Sequence, residues 1–194
     1  MNPYHYVVFG EAPGYKAFAK QKDKNIKGII VAKKGSSIQD ISELQGGKLA
    51  FPSPAAFAAS ILPRAYLNSQ GISVSPKYVS SHDSVYRNVA LGRMLAGGGI
   101  NRTFNSVDDD VRNELTVIWE SQGYTPHAFA AHPRVSDEVS DRVRTALIKM
   151  SETEKGKALL GVLGFKAIES ARSEDWDDVR ALNIGSLEDQ GSAD

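Results

Sequence analysis

The stretch Lys48-Leu49-Ala50-Phe51-Pro52-Ser53-Pro54-Ala55-Ala56 shows the pattern that decides the fold of this chain. A short apolar strand over residues 48–51 is stopped by two prolines, and residues 55–69 follow with apolar side chains at helical spacing. Residues 79–84 and 97–103 repeat this layout of strand, small-residue turn and helix. Because strands alternate with helices over most of the chain, we expect an α/β fold with a largely parallel sheet.

The segments on either side fit the same interpretation. Gly28-Ile29-Ile30-Val31-Ala32 is a continuous run of apolar residues, typical of a strand buried on both faces. The last third predicts helices over residues 137–150, which Ser136 caps, over 153–163 and over 174–182. The polar residues 185–194 predict a frayed tail.

Composition limits the classes of function. The 194 residues include 23 basic and 23 acidic side chains, so the net charge is zero. A general binder of nucleic acid or of a membrane surface needs a basic excess, so we expect neither partner. Cysteine is absent, which excludes disulfides, thiolate catalysis and cysteine-ligated metals. A ligand must therefore be held by a local site.

The three strand–turn–helix segments indicate where that site lies. Ligands of open α/β sheets lie beyond the carboxyl ends of the strands, where helix N-termini point free N–H groups outward. Those groups and the helix dipole favour an anion, so three converging turns would form an oxyanion pocket. The alternative is that each turn is only a connection, with Ser81 as a helix cap and Arg102 as a solvated surface residue.

Enzyme signatures are scarce in this sequence. Gly97-Gly98-Gly99 lacks the Lys-Ser or Lys-Thr that completes a phosphate loop, and no Gly-x-Ser-x-Gly elbow occurs. His127 and His132 flank a short strand and are expected to point to opposite faces, which does not suit one metal. We therefore predict a binding protein that needs no metal and no cofactor, rather than an enzyme.

Three runs resemble the phosphonate-binding proteins of ABC transporters, a group that also binds phosphate and phosphite. They are Phe51-Pro52-Ser53-Pro54, Ser80-Ser81-His82-Asp83-Ser84-Val85 and Tyr124-Thr125-Pro126. The resemblance implies a two-lobed periplasmic-binding-protein-like fold with a cleft and two crossing strands, near 29–33 and 128–132. Residues 36–125 would form the second lobe, and residues 1–35 and 126–184 the first.

Two departures from the family modify these expectations. Where the family has a Ser-Thr-Ser run that holds the phosphonate oxygens, this chain has Ala56-Phe57-Ala58, so those hydroxyl donors are missing. Family members also begin before the equivalent of Met1, with a signal peptide and the opening elements of the first lobe. We therefore expect an incomplete first lobe, which a homodimer would cover.

The resemblance also implies a function and a set of residues. The chain would be the solute-binding component of an importer, periplasmic or extracytoplasmic in the full-length protein, handing a small anion to an ABC permease in the membrane. An extracytoplasmic sensor domain on the same fold is the alternative. The residues that would contact the ligand are Tyr4, Tyr6, Ala56, Phe57, Ser81, His82, Asp83, Ser84, Arg102 and Thr103.

Overall fold

The computed structural model describes residues 1–182 and 184. Its helices are α1 (Pro3–Glu11), α2 (Leu62–Ser69), α3 (His82–Ala90), α4 (Asn101–Ser106), α5 (Asp109–Asn113), α6 (Asp137–Lys149), α7 (Glu154–Val162) and α8 (Asp177–Arg180). Its strands are β1 (Lys16–Gln21), β2 (Ile29–Lys33), β3 (Lys48–Phe51), β4 (Ser75–Tyr78), β5 (Ala96–Gly99), β6 (Leu115–Glu120), β7 (Ala128–Ala131) and β8 (Ile168–Ser170). Three 3-10 turns (Ile41–Leu44, Met150–Glu152, Ser173–Trp176) and one π-helix (Phe57–Ile61) complete these elements.

These residues form two compact units. Unit 1 comprises Met1–Ile26 and Tyr124–Leu182, and unit 2 comprises Lys27–Gly123. Each unit combines helices with a sheet, as the α/β class requires. Strand β2 belongs to unit 2 and β7 to unit 1, while the lobe boundaries at residues 36 and 125 stay predictions. The expected tail at 185–194 lies outside the described residues.

Unit 1 contains a three-stranded antiparallel sheet in the order β7-β1-β8. Its core combines Ala19 of β1, Leu160 of α7 and Ile168 of β8. Trp176 is fully buried, and its indole Nε1 donates to the carbonyl oxygen of Pro126 at 2.9 Å. This contact fixes the chain after α7 against the segment that precedes β7.

Unit 2 contains a five-stranded sheet in the order β4-β3-β5-β2-β6. Only the β4–β3 and β3–β5 pairs are parallel, so the expected largely parallel sheet is wrong for both units. The local strand–turn–helix pattern does not fix the direction of strands that pair across long stretches of sequence, and β2 pairs antiparallel with both β5 and β6. The three strands that follow the strand–turn–helix layout do run in one direction.

Strand β2 separates the two core layers of unit 2. Ile29 and Val31 face the layer that α3 covers, and Ile30 and Ala32 face the layer that includes Leu67 of α2. All four of these β2 residues have no exposed surface. The expectation of a strand buried on both faces is therefore confirmed.

Two further segments shape the units. The N-terminal residues form α1, because Pro3 suits the first helical position and the Asn2 side chain accepts from the N–H of His5. The glycine triplet forms most of the central strand β5. Three consecutive glycines in a central strand let helices pack close to the sheet.

Candidate functional site

The three strand–turn–helix segments meet at one edge of the unit 2 sheet. Strands β4, β3 and β5 are neighbours and run parallel, so their carboxyl ends share this edge. The N–H of Val79, just after β4, donates to the carbonyl oxygen of Phe51 at the end of β3 at 2.9 Å. Each strand is followed by a helix start, which places Ala56, His82 and Arg102 along the edge that we call the carboxyl edge.

The first helix start packs directly on the sheet. The π-helix Phe57–Ile61 runs into α2, and the backbone carbonyl of Ala59 lies against Gly98 in β5. Phe57 is only 3% exposed, so its bulk packs inside unit 2. Ala56 occupies the N-cap position without a side-chain cap. This helix start carries no hydroxyl at residues 56–58, and the N–H of Ala56 donates to the carbonyl oxygen of Ser53 at 3.3 Å.

The second helix start is held by serine side chains. The Ser81 hydroxyl caps α3 by accepting from the N–H of Ser84 at 3.0 Å, and it contacts the Ser84 hydroxyl at 2.9 Å. The carboxylate of Asp83 accepts from Arg87 at 2.7 Å. These three side chains have partners within α3, and their contact with a ligand stays a prediction.

His82 differs from its neighbours because its ring lacks a partner. The Nδ1 atom is buried without a hydrogen bond, and among the described residues only the Ser60 hydroxyl shares this condition. Burial lowers the pKa of His82, and the nearby Arg102 guanidinium lowers it further. An unpaired buried polar atom is costly, so a ligand that reached this ring could restore a hydrogen bond.

The third helix start carries the guanidinium group of Arg102. Arg102 is exposed and forms no ion pair within residues 1–182 and 184. Thr103 is engaged internally, because its hydroxyl donates to the carbonyl oxygen of Ile100 at 3.1 Å and lies 2.8 Å from the hydroxyl of Tyr86. At this helix start, Arg102 is thus the side chain able to meet an anion.

Sequence reasoning missed a carboxylate at this edge. Glu120 ends β6 and accepts from the ammonium of Lys27 at 2.7 Å and from the side-chain amide of Asn101. The hydrogen bond from Lys27, with that from Asn101, lowers the pKa of Glu120. Residues so distant in sequence show no common spacing pattern, so only the sheet order reveals this cluster.

The aromatic candidates lie in unit 1. Tyr6 is 1% exposed, its ring lies 4.6 Å from that of Trp176, and its hydroxyl accepts from the N–H of Ala17 at 3.2 Å. These contacts give Tyr6 a packing role. Tyr4 is half-buried, with its ring 5.7 Å from that of His5. Ligand contact by either tyrosine stays a prediction.

Metal ions and membranes define two other classes of site. Within the described residues, no group of three or more histidine, aspartate or glutamate side chains is arranged to hold a metal ion. No helix in this part of the chain has both the length and the apolar character to cross a membrane.

A known protein family matches most of the chain. Residues 1–176 match the family described as ABC transporter, phosphonate, periplasmic substrate-binding protein. The phosphate-import protein PhnD of Mycolicibacterium smegmatis is 25% identical over an alignment of 153 residues, and the match covers 70% of this chain and 44% of that protein. The chain therefore spans less than half the length of this curated relative.

Solved structures show the same fold at low identity. XAC2383 from Xanthomonas citri, bound to chloride, has a TM-score of 0.84 at 14% identity, over 97% of this chain and 77% of that one. A binding component of a Pseudomonas aeruginosa ABC phosphonate transporter has a TM-score of 0.79 at 14% identity, over 100% of this chain and 70% of that one. PhnD1 from Prochlorococcus marinus, in complex with methylphosphonate, has a TM-score of 0.78 at 16% identity, over 96% of this chain and 76% of that one. These likenesses confirm the two-lobed periplasmic-binding-protein fold class.

Proposed function

This chain belongs to the phosphonate family of periplasmic substrate-binding proteins of ABC transporters, and we propose that it captures a small oxyanion at the carboxyl edge of unit 2. Proteins of this family serve as the solute-binding components of importers, with a small ligand and a membrane permease as partners. The proposed ligand belongs to the phosphonate, phosphate or phosphite class. Binding is reversible and involves no covalent step.

The shared edge of β4, β3 and β5 carries this proposal. It sets two helix starts, at residues 56–57 and 81–82, beside the guanidinium of Arg102, which forms no ion pair within the described residues. An anion there gains charge-assisted hydrogen bonds from the backbone and from the guanidinium. The His82 ring, whose Nδ1 has no hydrogen-bond partner, would add one more hydrogen bond to the anion.

The missing hydroxyls at Ala56-Phe57-Ala58 affect which anion is preferred. Each lost hydrogen bond to a charged oxygen costs about 1.5–3 kcal/mol, roughly ten- to a hundredfold in affinity. We therefore expect a ligand preference that differs from that of relatives with a Ser-Thr-Ser run. Ser81, Asp83, Ser84 and Thr103 remain secondary candidates, since their side chains are already bonded within unit 2.

Titration calorimetry with phosphate, phosphite, methylphosphonate and sulfate tests the proposal. Arg102→Gln should weaken binding of the preferred anion about tenfold or more, because a charge-assisted hydrogen bond is lost. Arg93→Gln is the matched control, since Arg93 is also exposed but precedes β5 and therefore lies at the opposite end of that strand. Equal affinities for the two variants, or no binding of any of these anions by the wild type, would contradict the proposal.

The partners and the location follow from the family. We propose an extracytoplasmic protein that presents its ligand to a permease, and a homodimer as its form in solution. Light scattering tests the homodimer, and a clean monomer would rule it out. The gene neighbourhood distinguishes the sensor alternative, because the gene of a transporter component is expected beside permease and ATPase genes. The cleft and the hinge implied by the resemblance stay predictions.

A further inference from the structure

Tyr86 links two of the helix starts at the carboxyl edge. It lies on α3, one turn after His82, and its side chain is fully buried in the core layer that includes Val31 and Val89. Residues four apart on a helix share a face, so the positions of His82 and Tyr86 are coupled through the rigid first turns of α3.

The Tyr86 hydroxyl binds the start of α4. It accepts from the N–H of Ile100 at 3.2 Å, lies 3.2 Å from the carbonyl oxygen of Ile100, and contacts the Thr103 hydroxyl at 2.8 Å. Ile100 is the N-cap of α4 and has no side-chain cap of its own. Burial raises the pKa of Tyr86, so the hydroxyl keeps the proton that it donates. A single buried hydroxyl thus holds the backbone that carries Arg102.

Gly99 makes this arrangement possible. A Cβ atom at this position would lie 2.3 Å from the Tyr86 hydroxyl oxygen and 2.8 Å from two carbons of its ring. The ring therefore occupies the space that any other residue at 99 would need. Gly99 and Tyr86 are complementary, and a change at either one disturbs the same contact.

We infer that Tyr86 is a positioning residue for anion binding, which holds Arg102 at a fixed distance from His82 by tying the start of α4 to α3. The inference rests on the proposed function, because it assigns Tyr86 a role in the site that Arg102 and His82 form. Tyr86 itself has no exposed surface and does not touch the ligand.

Calorimetry on Tyr86→Phe, with inorganic phosphate and methylphosphonate as probes, tests this role. The variant should bind about tenfold more weakly, the loss expected for one misplaced charge-assisted contact. Gly99→Ala should have a similar effect by displacing the hydroxyl. Ile168→Val is the stability-matched control, since it trims the buried core of unit 1 and should leave affinity unchanged.

A double-mutant cycle separates positioning from general destabilisation. If Tyr86 acts through Arg102, the affinity cost of Arg102→Gln becomes much smaller in the Tyr86→Phe background. If Tyr86 only stabilises the fold, that cost is the same in both backgrounds, and the inference is overturned.

If the wild type binds none of these anions, the proposed function is wrong. Amide hydrogen exchange then still tests whether Tyr86 holds the start of α4. Tyr86→Phe should speed exchange at residues 100–106, beginning with the Ile100 amide that donates to the hydroxyl, while residues 137–149 of unit 1 keep their rates. Unchanged exchange at residues 100–106 would overturn the inference by itself.

Discussion

Gly98→Ala is the substitution that most directly tests how the sheet of unit 2 supports the carboxyl edge. Gly98 lies in the central strand β5, where the π-helix start packs on it. The added Cβ would lie 1.9 Å from the Ala59 carbonyl oxygen and 2.7 Å and 2.8 Å from two ring carbons of Phe51. Because Ala59 contributes a backbone atom, no change of side-chain rotamer relieves the clash.

The size of the effect follows from these distances. Real Cβ contacts almost never fall below 3.0 Å, so the helix start must move by about 1.1 Å, the difference between 3.0 Å and 1.9 Å. Overpacking of this kind costs about 1–3 kcal/mol of unfolding free energy. Binding groups must be held to within about 0.5 Å, so the displacement of this helix start at the carboxyl edge should also weaken anion binding about tenfold.

Urea unfolding, followed by far-UV circular dichroism, measures the stability change, and calorimetry with phosphate measures the affinity. Gly161→Ala is the matched control, because Gly161 lies in α7 of unit 1 with nothing within 4 Å of an added Cβ. That control should be neutral or more stable by up to about 1 kcal/mol. A Gly98→Ala protein as stable as the wild type would refute the close packing of this helix on β5.

Two further changes test single contacts. The wild type should lose unfolding free energy between pH 6.5 and pH 5, because the pKa of His82 is lowered in the folded state and the unfolded chain protonates first as pH falls. His82→Gln should make this loss smaller. An unaltered dependence of unfolding free energy on pH, measured by urea titrations across that range, would contradict the buried, neutral ring. Ser136→Ala should lower the unfolding free energy by about 1 kcal/mol, because the Ser136 hydroxyl caps α6 by accepting from the N–H of Val139 at 3.3 Å. Ser140→Ala, within the same helix, serves as the control. Equal melting temperatures for the two variants would show that the cap does not stabilise the protein.

Local patterns in the sequence predicted many of the elements. The β2 run was identified as a doubly buried strand because four consecutive apolar residues leave no polar face. Ser136 was identified as the cap of α6 because serine before a helical pattern satisfies a free N–H group. Both properties depend on neighbours within one turn or one strand. The helix over 174–182 was less accurate: it divides into a 3-10 turn and the short α8.

The site shows where local patterns stop being informative. The sequence indicated three turns suited to anion binding, at residues 56, 82 and 102, and the family resemblance predicted ligand contacts in the same three turns. It did not indicate that Glu120 and Lys27 share the edge, or that Tyr86 holds the start of α4. These contacts join residues that are brought together only when the strands take their order in the sheet.

The sequence by itself therefore determined the family, the α/β class and the chemical character of each turn, because those properties reside in side chains and their near neighbours. Tertiary structure alone decided that β2 runs against its neighbours, that a glycine strand occupies the sheet centre, and that the hydroxyl of Thr103 is already engaged while His82 lacks a partner. The physical reason is that strand pairing and hydrogen-bond satisfaction depend on groups far apart in the chain, whose competition for partners is settled only when the whole sheet has formed.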